Sequence, residues 1–269
     1  MQFDFTPIID TFISTRTIGF VSIDGANPRP RGSGVLVCCK SIQGILTCGH
    51  VLAELPIDDD FGLVQFAGAR GRYRQTKISG HINVQSAIKF YSPPMRYGGP
   101  DLAFIPIAAE QFNTLIAFGS AVNLDLGKQR ASNPAPDGAE AFEAVAGIVG
   151  SLTPPPRVDG QYCRLDIEGL VNVGKVVASP IVDDWDQLHF KPIPGPDFSL
   201  PSNYQGMSGG GIWRVYVKKD DQNGFDVVEA RLTGVAYWQD DVEQTHGIIG
   251  HGPHSLYGHL LNEIYRRWP

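Results

Sequence analysis

Three short motifs hold the residues best suited to chemistry. Gly44–Val51 reads GILTCGHV and brings His50 to the end of an apolar run. Pro100–Ile105 reads PDLAFI and sets a lone carboxylate, Asp101, at the start of another. Asn203–Trp213 reads NYQGMSGGGIW and surrounds Ser208 with glycines. Hydrolysis by acyl transfer needs an activated nucleophile, a base, a group that orients the base, and donors for the oxyanion. A neutral imidazole accepts a proton near pH 7. A partly buried carboxylate bonded to its Nδ1–H holds the required tautomer. The glycines allow a tight turn that projects the Ser208 hydroxyl and aims the Gly206 and Ser208 amides at one point. Taken singly, each motif also has a plain reading: a core histidine, a strand-start cap, a flexible loop.

The elements that must position these residues read as strands. Apolar, β-branched runs recur between Gly, Pro and Asp clusters at residues 17–23, 34–39, 44–47, 63–66, 102–107, 144–149, 170–177, 211–217 and 232–237. Short runs bounded by breakers fit strands better than helices. Residues 40–44 read as the hairpin turn before the His50 strand. The tail is the exception. Leu256, Leu260, Leu261, Ile264, Tyr265 and Trp268 share one helical face, and Ser255 can cap it, so Ser255–Trp268 is expected to be a helix. Residues 129–139 resemble a connection, placing the expected division between 1–128, with His50 and Asp101, and 129–269, with Ser208.

Composition excludes several function classes. The formal net charge is -6 and no basic stripe offsets it, so no nucleic-acid partner is expected. No apolar run is long enough for a membrane span, and the N-terminus lacks the pattern of a signal peptide. A cytoplasmic setting is the expectation, with a mature secreted form left open. The four cysteines, Cys38, Cys39, Cys48 and Cys163, match no metal pattern and read as reduced thiols. Neither a phosphate-cradling loop nor a dinucleotide fingerprint occurs, so no cofactor is expected. His246, His251, His254 and His259 crowd into one Gly-rich segment. Their spacing fits no zinc motif, and they read as a solvated loop with no metal. Asp58–Asp60 and the acids Asp183, Asp184 and Asp186 read as surface.

The motifs LTCGH, DLAFI and GMSGG, in the order His, Asp, Ser and 51 and 107 residues apart, resemble the trypsin/chymotrypsin-like serine peptidases. The GSGVLV run at residues 32–37 resembles bacterial and HtrA-like members in particular. The resemblance implies an all-β fold of two six-stranded antiparallel barrels with a C-terminal helix. It implies peptide-bond hydrolysis by His50, Asp101 and Ser208, an oxyanion hole from Gly206 and Ser208, and a protein or peptide substrate. It places Ser202 at the base of the specificity pocket, which implies an uncharged pocket. It sets Ala236, Tyr237 and Trp238 on the strand that pairs with substrate, with Trp238 narrowing the pocket mouth.

Departures from the family pattern accompany the likeness. Met207 replaces the acid that binds a freed N-terminus, so activation by that ion pair is not expected. Ala236 replaces a serine that often bonds the aspartate. Two further readings stay open: a binding module on the same fold, and a peptidase silent until a regulatory protein partner engages it.

Overall fold

The structure is a computed structural model. It describes the chain apart from residues 1–4, 25–26, 67–72, 92–98, 161, 196–198, 221–223 and 241–246. His246 therefore lies outside the described residues.

The fold is mostly β, in two large, mainly antiparallel sheets and one separate two-stranded hairpin. The first is built from β1 (Thr17–Asp24), β2 (Asn27–Cys39), β3 (Ile42–Thr47), β4 (Asp60–Phe66), β5 (Tyr73–Ser79), β6 (Ile88–Tyr91) and β7 (Asp101–Pro106). Their order is β5-β4-β1-β2-β3-β7-β6, and a short β8 (Val122–Asn123) runs parallel to β2. Six strands are expected here, whereas the described residues form an open path of seven. Between them lie the helices α1 (Thr6–Ser14), α2 (Gly49–Glu54), α3 (Gly80–Asn83), α4 (Ala109–Ile116) and α5 (Leu124–Arg130). The β2–β3 turn is tight: Cys39 pairs with Ile42, and Lys40 takes a left-handed φ of 49°.

The second large sheet begins with β9 (Glu140–Ile148); the hairpin β10 (Arg157–Asp159) and β11 (Tyr162–Arg164) that follows is a separate two-stranded sheet. The large sheet continues through β12 (Gly169–Ala178), β13 (Ile181–Val182), β14 (Trp185–Pro192), β15 (Gly211–Lys219), β16 (Phe225–Asp240) and β17 (Gly247–His251). Pairing runs β9-β15-β16-β17-β14-β12 and then returns to β9, so six strands close into a ring. Closure removes two exposed strand edges.

The tail is helical, as its apolar stripe implies. A π-helical segment (His254–Leu260) runs into α6 (Leu261–Arg267), with Leu256, Leu260, Leu261 and Ile264 buried. Ser255 does not act as its expected cap. Its hydroxyl donates instead to Asp186 on β14, at 2.5 Å. One apolar core joins both sheets and the tail, and includes Phe104, Trp213, Leu232 and Ile264. Burying each such side chain contributes about 1.5–3 kcal/mol. At the other end of the chain, α1 buries Ile9 and Ile13 and packs on β12 and β16. Among the described residues no helix is long and apolar enough to cross a membrane.

Candidate active site

His50 and Asp101 are brought together by neighbouring strands. β3 and β7 pair antiparallel with Thr47 opposite Ala103, so the end of one lies beside the start of the other. All but the last residue of β7 is buried, which carries Asp101 inward to 1% exposure. Cys48 is extended, and the chain then turns into α2, so His50 lies in a first helical turn rather than at a strand end. Val51 and Leu52 in the core pin that turn. Cys48 offers α2 no side-chain cap, and Asp101 Oδ1 fills the role by accepting from the His50 amide at 2.8 Å. Asp101 Oδ2 meets His50 Nδ1 at 2.5 Å. One carboxylate therefore grips both the backbone and the ring of the histidine.

A second histidine lies beneath Asp101. His251, in β17, is fully buried, which overturns its reading as part of a solvated loop. Its Nε2 accepts from the Asp101 amide at 2.9 Å, and its Nδ1 faces the Asp186 carbonyl at 3.3 Å. The ring stacks on Tyr237, with centroids 4.5 Å apart, and meets the edge of Trp185. Asp186 is also buried, against its expected surface position. It collects the amides of Gly252, His254 and Ser255, so it is the tertiary cap of the tail helix.

Burial lowers the pKa of His251 from the ordinary 6.5, against the opposing pull of the Asp186 carbonyl and the Asp101 and Asp186 charges. His259 adds a smaller lowering effect. Below about pH 6.5 the unfolded chain binds a proton at this residue that the folded chain resists. This contribution to stability is complete above that pH and is lost as pH falls toward the folded-state value. The urea midpoint should fall from pH 7 to pH 5, and His251→Gln should flatten that part of the profile.

Ser208 stands on the turn before β15. Gly206 and Gly209 there have φ of 94° and 88°, both left-handed. A Cβ on Gly209 would lie 1.9 Å from the Ser33 carbonyl oxygen, so only glycine fits. Peptide orientation follows from the partners. The Gly150 amide donates to the Gln205 carbonyl at 2.7 Å, and the Gly210 amide to the Met207 carbonyl at 2.8 Å. In a trans peptide the N–H points opposite the C=O. The Gly206 and Ser208 amides are thus turned away from those anchors, and among the described residues neither has an acceptor. The Met207 amide between them is bound to the Tyr204 carbonyl at 2.9 Å.

Ser33, on β2, ties this turn to the first sheet. Its amide donates to the Ser208 carbonyl and its hydroxyl to the Gly206 carbonyl, both at 2.7 Å. The same hydroxyl accepts from the Ile148 amide at 2.7 Å. Removing it leaves buried groups unpaired, a cost of about 1–3 kcal/mol. The sequence offered only a serine between two glycines as a sign of this role.

His50 and Ser208 line one cleft of about 270 Å³. Ala236, Tyr237 and Trp238 also line it. Ser202 does not: it is exposed and outside the lining, and Tyr204, Met207 and Ile248 supply apolar walls instead. No Asp, Glu, Lys or Arg lines the cleft among the described residues. Pairing between β16 and β17 shifts register at Tyr237, a bulge that turns its carbonyl toward Ser208. The Ser208 hydroxyl donates to that carbonyl at 3.5 Å. Cys48, beside Asp101, donates its thiol to the Ala236 carbonyl at 3.0 Å. Burial first, and the Asp101 charge second, push its pKa well up and keep it a thiol.

No protein-family model matches the chain. No curated protein matches it in sequence either. Similar solved structures include one from a study of coupled folding and binding in the Sesbania mosaic virus VPg protein. That structure is 10% identical with a TM-score of 0.44, over 91% of this chain and 90% of the other. Another is the HtrA-type protease AlgW with a decapeptide, 14% identical with a TM-score of 0.46, over 95% of this chain and 65% of the other. At these scores neither likeness carries an argument about the site.

Proposed function

We propose that this chain is a serine endopeptidase of chymotrypsin-like architecture. Its two barrel lobes would span residues 1–128 and 129–269, and its triad would be His50, Asp101 and Ser208. The observation that carries the reading is the 2.5 Å contact of His50 Nδ1 with a buried Asp101, at a cleft that Ser208 also lines. With Nδ1–H held by the carboxylate, Nε2 is the free base.

In the proposed cycle the Ser208 hydroxyl rotates from the Tyr237 carbonyl and attacks a peptide carbonyl. Its proton passes to His50 Nε2, and Asp101 stabilises the imidazolium without taking the proton. The Gly206 and Ser208 amides donate to the tetrahedral oxyanion. His50 then protonates the leaving amine, and water repeats the sequence on the acyl-enzyme. Substrate backbone lies along residues 236–238 of β16. The apolar, uncharged cleft selects an uncharged side chain before the scissile bond.

One observation favours a regulated form of this reading. The Ser208 hydroxyl lies 3.5 Å from the Tyr237 carbonyl, and among the described residues no hydrogen bond joins it to His50. A protein partner that brings it within hydrogen-bonding distance of His50 would raise turnover. The test is a peptide library digested by the purified chain, with new termini read by mass spectrometry. Cleavage after apolar residues, and rarely after Lys, Arg, Asp or Glu, is expected. Peptides retained on the protein but never cut, with or without cell extract, would identify a binding module instead.

A further inference from the structure

The geometry points to a surface site for a divalent transition metal of the zinc class, formed by Asp184, His254 and His259. The three ligand atoms all lie within 4.8 Å of one another. Asp184 Oδ1 is 3.4 Å from His254 Nε2, and Asp184 Oδ2 is 3.5 Å from His259 Nε2. Zinc bonds of about 2.0–2.1 Å in a tetrahedron set ligands about 3.4 Å apart; each contact has about that span, and because they end on different oxygens the Asp184 carboxylate turns to offer one of them to the ion. Two imidazoles and one carboxylate are a donor set that zinc takes, with water in the fourth position. Asp184 is 77% exposed, which leaves that position open to solvent.

The backbone holds the donors in place. Val182 pairs with Trp185 across a two-residue turn, and Asp183 and Asp184 take left-handed φ of 49° and 68°. That turn lifts Asp184 toward the tail. His254 and His259 are five residues apart on the π-helical segment. In an α-helix, residues five apart point about 140° from each other. In a π-helix, bonded i to i+5, they come to one face. Their rings are 4.9 Å apart, and Trp185 lies against His259 at 4.6 Å.

Without metal, His259 Nε2 donates to the Asp184 carbonyl at 2.9 Å. Binding requires that hydrogen to sit on Nδ1 instead, a tautomer exchange that leaves Nε2 free to bind the ion. A bound ion would cross-link the β13–β14 turn to the tail. Both elements hold Asp186, whose carbonyl supports His251 beneath Asp101. The site therefore lies at the start of a hydrogen-bonded path to His50. The inference stands whether or not the chain cleaves peptides.

The experiment titrates the full chain carrying Ser208→Ala with Zn²⁺ by calorimetry, and with Co²⁺ by visible absorption. One equivalent of Zn²⁺, a four-coordinate Co²⁺ spectrum and a Tm that rises with Zn²⁺ are expected. Asp184→Asn keeps a residue that tolerates the left-handed turn. It and His259→Gln should each weaken Zn²⁺ by at least about 100-fold, with the metal-free Tm unchanged for Asp184→Asn; His259→Gln also loses its bond to the Asp184 carbonyl and its Trp185 contact, so its Zn²⁺ response is read against its own metal-free Tm. His81→Asn, at an exposed histidine elsewhere, should bind as before. No stoichiometric binding, binding that survives Asp184→Asn and His259→Gln, or binding lost on His50→Ala would each overturn the assignment.

Discussion

Replacing Ser208 by alanine is expected to lower peptidase turnover by about 10⁴-fold or more, into the residual range left by binding and oxyanion donors. The hydroxyl is the proposed nucleophile, and no other described hydroxyl shares the cleft with His50 except those of Tyr204 and Tyr237. Burial holds the Tyr204 phenol protonated, with its pKa far above the ordinary value. The fold should be indifferent to the change. Ser208 Oγ makes one long bond, 3.5 Å, to the Tyr237 carbonyl. The turn itself is held by backbone and by Ser33. A urea midpoint within about 0.5 kcal/mol of wild type is expected. Loss of activity with loss of fold would instead assign Ser208 a structural role.

Asp101→Asn should cost about 10⁴-fold in turnover, by a different route. The carboxylate accepts twice from His50, at the amide and at Nδ1. An asparagine can keep the first bond through its oxygen. Its NH₂ then faces Nδ1 and donates where the carboxylate accepted. Nδ1 must become the acceptor, so the ring hydrogen moves to Nε2 and the base is lost. The Asp101 amide still donates to His251, because that bond is main-chain. Activity is therefore expected to collapse while the chain stays folded. Raising the pH should not rescue it, since the defect is a tautomer and not a titration. Turnover measured from pH 6 to 9 on both chains checks this.

The parts legible in the sequence are those decided by short-range patterning. Gly-Met-Ser-Gly-Gly signals a glycine-dependent turn, and the left-handed Gly206 and Gly209 supply it. The stripe from Leu256 to Ile264 signals a buried helical face. What stayed hidden is set by partners far along the chain. Ser33 meets Gly206 across 173 residues, and His251 meets Asp101 across 150. An aspartate followed by Gln-Leu looks like surface until four donors from the tail converge on it, as they do on Asp186. The π-helical phase of the tail was invisible for a related reason. The apolar stripe fits α-helical spacing, and only the backbone reveals that His254 and His259 share a face. The family resemblance sets Ser202 at the pocket base, but Ser202 is exposed and it is the buried Tyr204 that lines the cleft.

The most direct measurement is intact-mass labelling with a fluorophosphonate, followed by peptide mapping. The reagent reacts only with a serine that a neighbouring base has activated. The native chain should gain one adduct, mapped to Ser208, with none on the urea-unfolded chain or on Asp101→Asn. Equal labelling of native and Asp101→Asn chains, or an adduct on any other serine, would contradict a hydroxyl driven by the imidazole that Asp101 holds.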